Sequence, residues 1–366
     1  MFYLLIFKMS TDPVLSKSPA VSPIASWDYW PRDDCRSPCG YVGLVNLGAT
    51  CYMATAMQQL YMIKEARECI LNSKPLIVNL VKEDENSKNG PKYDKVLNEL
   101  KRMFAYLQES EKKAYNPREF CKVYTMNQQP LNTAEQKDMQ EFFTDLISKL
   151  EETSNVELKS LIKQLFGGTI TNLVISLDCP HVSCTLEEFY TVRCQVAGMK
   201  DVYDSLNEIT VKDTLEGDNM YTCSKCSRKV RAEKRACFRQ LPKILCFNTM
   251  RYTFNMITML KEKVNTHFSF PLQLNMSGYM EKNLIPSIST DPNIKDNEDE
   301  NEIKRNGKSD EEAADDTYIY ELIGVTVHTG TAEGGHYYSF IRERDQMEIS
   351  NENALNNQQK EKSPKW

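Results

Sequence analysis

The stretch that most constrains this chain is Gly43-Leu44-Val45-Asn46-Leu47-Gly48-Ala49-Thr50-Cys51-Tyr52-Met53, which runs on through Ala54 to Ile63. From Cys51 onward, Met53, Ala56, Met57, Leu60 and Tyr61 recur at the i, i+3, i+4, i+7, i+8 spacing of an amphipathic helix, with Gln58 and Gln59 off that stripe. Cys51 therefore stands at or near a helix N-terminus, where unpaired backbone N–H groups and the positive end of the dipole favour an anion. Gly48 permits backbone conformations closed to other residues, and Asn46 carries an amide able to donate to a developing oxyanion. Taken alone, a cysteine is more readily read as a small buried core residue. To act as a nucleophile it needs a histidine.

The far end of the chain supplies one. Tyr318 to His328 reads as a buried strand, and after Thr329-Gly330-Thr331-Ala332-Glu333-Gly334-Gly335-His336 the alternating run Tyr337 to Arg342 reads as another. A Gly-Gly turn lets a substrate backbone approach closely, and the strand after it holds the imidazole rigidly. Of the four histidines, His181 has metal-like spacing and His267 lies in a polar connection. His328 ends a strand and is either a hydrogen-bonded core residue or a second histidine beside the cleft. His336 is the natural partner of Cys51.

The first third of the chain is helical. A second helix is expected over Tyr93 to Leu107. A third carries Met139, Phe142, Phe143, Leu146, Ile147 and Leu150, with Thr133-Ala134-Glu135-Gln136 spaced as a capping box at its start. Gln136, Asp138 and Glu141 read there as capping and solvated residues. From Gly167 the texture turns to short β runs: Thr169 to Ile175, Glu188 to Val196, Ala236 to Gln240 and Ile244 to Met250, then an edge strand at Pro271 to Leu274. Met1 to Met9 reads as a non-structural leader: it lacks a basic flank, and its apolar run is too short to span a bilayer. Ser10 to Cys39, rich in Pro and Ser, extends it as disordered chain. Lys82 to Pro91 reads as a charged loop and residues 290–317 as a disordered acidic insertion.

Within the β-rich part, Cys179-Pro180-His181 and Cys223-Ser224-Lys225-Cys226 form two ligand pairs. Two such knuckles at adjacent hairpin tips hold one tetrahedral zinc, a structural one, because four protein ligands leave no open position. Cys184 competes with His181 as the fourth ligand, and unmetallated reduced thiols are the plain alternative. Cys194 and Cys237 read as strand residues.

The 366 residues allow one large domain or two ordinary ones. Eleven acidic and four basic residues between Asp291 and Asp316 account for more than the whole net charge of −6, so no basic surface argues for nucleic acid. No run reaches transmembrane length. Twelve cysteines in no dense framework argue for reduced thiols and hence cytoplasm or nucleus.

Together these stretches resemble the ubiquitin-specific proteases, papain-like cysteine deubiquitinases. Gly43 to Gln59 is similar to their cysteine box, Gln136-Lys137-Asp138-Met139-Gln140-Glu141-Phe142-Phe143 to their Gln-Asp-x-x-Glu-Phe helix, and Tyr320 to Phe340 to their histidine box. The stretches around Leu177 to His181, Tyr221 to Cys226 and Thr249 to Tyr252 resemble the very large members. The resemblance implies an α+β, hand-shaped fold: a helical thumb over about 40–166, then a β-rich palm and zinc-ribbon fingers over about 167–366. It implies Cys51 as nucleophile, His336 as general base and Asn46 as oxyanion donor. Asp138 would contact the basic tail of ubiquitin, and Gly334, Gly335 and Tyr337 would line the narrow channel for its Gly-Gly end. Cys179, His181, Cys223 and Cys226 would hold zinc, with no organic cofactor. The partners implied are ubiquitin and ubiquitinated proteins, with no nucleic acid and no membrane.

The family places a third catalytic residue, an Asp or Asn, on a final palm strand after a Trp. Here Asp345, Asn351, Asn353, Asn356 and Asn357 follow His336 in a polar stretch without strand character, so that strand and residue are expected to be missing. The function expected is cysteine-dependent hydrolysis at the ubiquitin C-terminus. The alternatives are a catalytically impaired ubiquitin-binding module and a zinc-ribbon interaction domain, the last of which leaves the Cys51–His336 pairing unexplained.

Overall fold

The structure, a computed structural model, describes residues 2–9, 35–37, 39–73, 93–285 and 318–343. The expectations for Ser10 to Asp34, the 82–91 loop, the 290–317 insertion and the segment after residue 343 lie outside the described residues.

Among the described residues, the stretch from Cys51 to Phe166 carries six helices: α1 (Cys51–Tyr61), α2 (Lys64–Asn72), α3 (Asp94–Glu109), α4 (Arg118–Val123), α5 (Met139–Glu151) and α6 (Val156–Phe166). The stripe read from α1 is its buried face, with Met53, Ala56, Met57 and Leu60 all fully buried against α3 and α5 residues such as Phe104 and Phe142. The capping box expected at Thr133 is not used. Asp138 caps α5, its Oδ1 accepting from the N–H groups of Gln140 (2.9 Å) and Glu141 (3.0 Å). Residues 133–138 instead form a connecting loop whose Thr133 carbonyl accepts from Ala49 N–H at 2.7 Å. A tertiary bond to the cysteine loop has displaced the local cap.

With Phe2–Met9 counted as β1, the strands continue as β2 (Gly168–Ser176), β3 (Val182–Phe189), β4 (Val192–Gln195), β5 (Ala232–Gln240), β6 (Ile244–Met250), β7 (Tyr252–Asn255), β8 (Leu260–Lys263), β9 (Gln273–Asn275), β10 (Ile319–Gly330) and β11 (Gly335–Ile341). The Glu188 to Val196 run expected as one strand is split between two sheets, ending β3 and forming β4. The larger sheet runs β9–β10–β1–β6–β4, with β11 paired to β10 on the same side as β9. The second, β3–β2–β5 with the short strand Asp213–Leu215, carries the Cys179–His181 knuckle between β2 and β3, and a separate hairpin, Tyr221–Cys223 paired with Arg228–Val230, carries the Cys223–Cys226 knuckle.

The expectation of a non-structural leader fails for Phe2–Met9. This segment is a central strand, antiparallel to both neighbours, with Leu5 opposite Phe247 on β6 and opposite Val325 on β10. Leu4 and Ile6 enter the core shared with the helices, while Leu5 and Phe7 enter the core on the opposite face. All four are at most 1% exposed. A strand covered on both faces needs an unbroken apolar run rather than alternation, and that is the pattern that imitates a leader. No helix among the described residues is long and apolar enough to cross a membrane.

Candidate active site

Cys51 opens α1 and is 5% exposed. The loop before it is wound around one atom: Asn46 Oδ1 accepts from Thr50 N–H (3.0 Å), Thr50 Oγ1 (3.0 Å) and Gly48 N–H (3.3 Å). Thr50 Oγ1 in turn accepts from Leu47 N–H at 2.9 Å. These bonds consume the carbonyl end of the Asn46 amide and leave its NH2 end for a ligand. Gly48 has φ +128°, and a Cβ there would stand 2.8 Å from the Thr133 carbonyl, so conformation and space both require glycine.

Facing this loop is the β10–β11 hairpin. Its turn closes through Thr331 N–H to the Gly334 carbonyl at 2.8 Å. A Cβ on Gly335 would lie 1.9 Å from the Thr329 carbonyl and 2.6 Å from His328 Nε2, whereas one on Gly334 would meet only Gln136 Oε1 at 3.7 Å. Of the two glycines, Gly335 is the one the fold itself demands.

Successive residues of β11 face opposite ways. His336 is exposed, its ring stacked on that of Tyr338 at 6.4 Å and 21°. Tyr337 is 4% exposed and lies over the His328 ring at 4.4 Å. The Tyr337 backbone N–H donates to Cys51 Sγ at 3.5 Å. The strand that carries His336 thus meets the sulfur through its backbone, and no hydrogen bond joins the imidazole to the thiol in this state. Such contacts commonly form only with substrate in place.

His328 resolves as the other kind of histidine. It is 1% exposed, and its Nδ1 faces Lys263 Nζ at 2.9 Å and Tyr252 OH at 3.5 Å. Burial, helped by the Lys263 ammonium, pushes it down to about 4. A group that stays neutral through the physiological range, its Nδ1 occupied by a lysine, is a wall of the cleft rather than its base. Lys263 also donates to the Gly330 carbonyl at 2.8 Å, tying the β7–β8 hairpin to the glycine turn.

Gln136, read from sequence as part of a helix start, stands at the centre of the site. Its Nε2 lies 3.4 Å from Cys51 Sγ and 2.9 Å from the Gly335 carbonyl, and its Oε1 accepts from Gly335 N–H at 2.9 Å. The missed signal was that the true cap is Asp138, which leaves Gln136 in the loop before the helix, its side chain not committed to capping. A cleft of about 420 Å³ is lined by Gln136, Asp138, Tyr252, His328, Gly334 and Tyr337. Asp138 and Tyr252 also line a second cleft of about 620 Å³, together with Glu141, Asp145, Arg193 and Arg251.

Far from Cys51, the ligand atoms of Cys179, His181, Cys223 and Cys226 all lie within 4.8 Å of one another and could hold a metal ion. Cys179 Sγ is 3.8 Å from Cys223 Sγ, and His181 Nδ1 is 3.6 Å from Cys223 Sγ and 3.1 Å from Cys226 Sγ. Ligands about 2.0–2.3 Å from a tetrahedral ion stand about 3.3–3.8 Å apart, so most of these edges already fit. Cys184 is outside the group, exposed on β3 opposite Leu173. Arg231 grips the Asp178 carboxylate with two nitrogens and its own backbone N–H, bracing the first knuckle beside Cys179.

Comparison with known proteins agrees with this geometry. The chain is 62% identical to human ubiquitin carboxyl-terminal hydrolase 34 over 317 residues, covering 87% of this chain and 8% of that protein. It is 61% identical over 327 residues to ubiquitin carboxyl-terminal hydrolase puf of Drosophila melanogaster, with the same coverage of each chain. It therefore spans about 8% of the length of these curated relatives. A chain in the solved SAGA Ubp8/Sgf11/Sus1/Sgf73 DUB module bound to ubiquitin aldehyde shares the fold, with TM-score 0.60 and 20% identity over 82% of this chain and 62% of that one. The ubiquitin carboxyl-terminal hydrolase family matches residues 42–363, and the protein is a member of that family.

Proposed function

We propose that this chain is the catalytic unit of a cysteine-dependent deubiquitinase. The observation that carries the reading is the junction of Cys51, at the start of its helix, with the backbone of the strand bearing His336, beside a cleft lined by Gln136, Gly334 and Tyr337. The Cys51 thiolate attacks the carbonyl carbon of the ubiquitin C-terminal glycine, and the Asn46 amide receives the negative charge that develops on oxygen. His336 gives its proton to the departing lysine amine as the carbon–nitrogen bond breaks, leaving a thioester. It then takes a proton from water as the water attacks, releasing the ubiquitin carboxylate and restoring Cys51. Asp138, which lines both clefts, meets the basic tail of ubiquitin in this reading, and Gly334, Gly335 and Tyr337 form the wall along its last residues.

The metal held by Cys179, His181, Cys223 and Cys226 is zinc in this reading, supported by three sulfurs and one imidazole within 4.8 Å of one another. Its chemistry is structural: it pins two hairpin tips together. Ubiquitinated proteins are the substrates, and twelve unbridged cysteines support a reducing compartment, cytoplasm or nucleus.

The test is incubation with ubiquitin bearing a thiol-reactive C-terminal electrophile. A covalent adduct is expected with the natural chain and none with Cys51→Ala. Absence of an adduct from a folded chain would sink the proposal.

A further inference from the structure

One polar side chain touches the sulfur without a role in the reaction just outlined. Gln136 sits in the loop before Asp138, and its amide is fully engaged: one Nε2 hydrogen points at the Gly335 carbonyl (2.9 Å), the other at Cys51 Sγ (3.4 Å), and Oε1 accepts from Gly335 N–H (2.9 Å). The Gly335 peptide fixes which end is which, since exchanging nitrogen and oxygen would set donor against donor and acceptor against acceptor. The side chain thus pairs with β11 as a peptide group of a neighbouring strand would, and the same group reaches the nucleophile.

The sulfur receives a second donor, the Tyr337 N–H at 3.5 Å, from the strand that Gln136 holds. A neutral thiol is a weak acceptor, whereas a thiolate is stabilised by N–H groups aimed at it. We propose that Gln136 is a further catalytic residue, one that holds the Cys51 thiolate with one N–H and locks the histidine-bearing strand against it with the rest of its amide. A single group thereby donates to the sulfur and fixes its distance from β11. The proposal rests on Cys51 as the nucleophile and is independent of which substrate the thiolate attacks.

The test compares Gln136→Ala and Gln136→Glu with the natural chain. Both substitutions fall on a part-exposed loop and spare every core contact, and thermal unfolding checks that the fold is kept. The first readout is the rate at which iodoacetamide alkylates Cys51 at neutral pH without ubiquitin, followed on the peptide that carries it. Loss of a hydrogen bond to a charged group predicts a rate about 10-fold lower or more for Ala. Glu keeps the shape of Gln and the bond from Gly335 N–H, but it cannot donate and it sets a negative charge beside the sulfur. The expected ranking is therefore natural chain above Ala above Glu.

A role confined to shaping the loop predicts the reverse order, with Glu near the natural rate and Ala lower. That order, or unchanged rates in both variants, would overturn the proposal. The second readout is turnover of a ubiquitin C-terminal fluorophore, where kcat should fall with KM little changed. Normal alkylation of Cys51 in the natural chain with no reaction toward the ubiquitin electrophile would remove the ubiquitin reading and leave the Gln136 assignment standing.

Discussion

The backbone N–H of Tyr337 lies 3.5 Å from the sulfur of Cys51. Residues 286 positions apart in the chain are thereby fixed to each other by the main chain, and the geometry of the site depends on where β11 begins. That start is set by Gly335.

Gly335→Ala should abolish activity. The new Cβ, 1.9 Å from a backbone carbonyl that cannot move aside, must push β11 away from β10 and from Cys51. A loss in kcat/KM of about 100-fold or more is expected, because misplacing reacting groups by an ångström costs that much. Gly334→Ala, with only an ordinary contact at 3.7 Å, should leave the unfolding temperature unchanged and act only by narrowing the channel. Equal thermal destabilisation of the two variants would contradict this.

His328 should make the fold acid-sensitive. Its folded value is pushed from the ordinary 6.5 down to about 4, so between those pH values the unfolded chain binds the proton and the folded one does not. The resulting stability is complete above pH 6.5 and is lost as pH falls toward 4. Urea unfolding at pH 7.5 and pH 5 should show a steeper loss for the natural chain than for His328→Gln. Parallel losses would place the pH dependence elsewhere.

Asp138 has two tasks that one pair of variants separates. Asp138→Asn keeps an acceptor for the Gln140 and Glu141 amides but drops the charge, so KM for ubiquitin should rise with the unfolding temperature held. Asp138→Ala should show the same rise and lose about 1 kcal/mol of stability with the cap. An unchanged KM in both would leave Asp138 a cap alone.

Chelation of the proposed zinc, or Cys223→Ser, should lower the unfolding temperature by roughly 5 °C or more, because metal binding at the knuckles would be coupled to their folding. Cys184→Ser should change nothing, since that thiol is outside the cluster. Metal analysis of the purified chain gives the stoichiometry, for which one ion is expected.

Substitution in β1 should be as damaging as any in the core. Burial of Leu4, Leu5, Ile6 and Phe7 is worth about 6–12 kcal/mol together, comparable with the whole stability of a domain, about 5–15 kcal/mol. Leu5→Asp or Phe7→Asp adds a buried charge without a partner, and Phe7 also loses its edge contact with Phe247 at 5.6 Å. Circular dichroism should show the loss of a cooperative transition. A folded, active Phe7→Asp chain would mean that β1 is dispensable.

Local pattern made much of this molecule legible. The helix behind Cys51, the strands that carry His328 and His336, the two ligand pairs and the α+β order all follow from spacing, because each is set by neighbours within one element. The sequence by itself determined which residues could do chemistry: Cys51 at a helix start, His336 after two glycines, Cys179 with His181, and Cys223 with Cys226.

Tertiary structure decided what those residues meet. It placed Phe2–Met9 at the centre of a sheet, because an apolar run becomes a buried strand only when two distant strands leave a slot on either side. It moved the cap of α5 from Thr133 to Asp138, because the Thr133 carbonyl is engaged by Ala49. It separated His328 from His336 through burial beside Lys263, and it brought Gln136 onto the sulfur. Each of these outcomes is a contact between residues far apart in the chain, whose free energy depends on the packing of the whole domain rather than on any pattern within one segment.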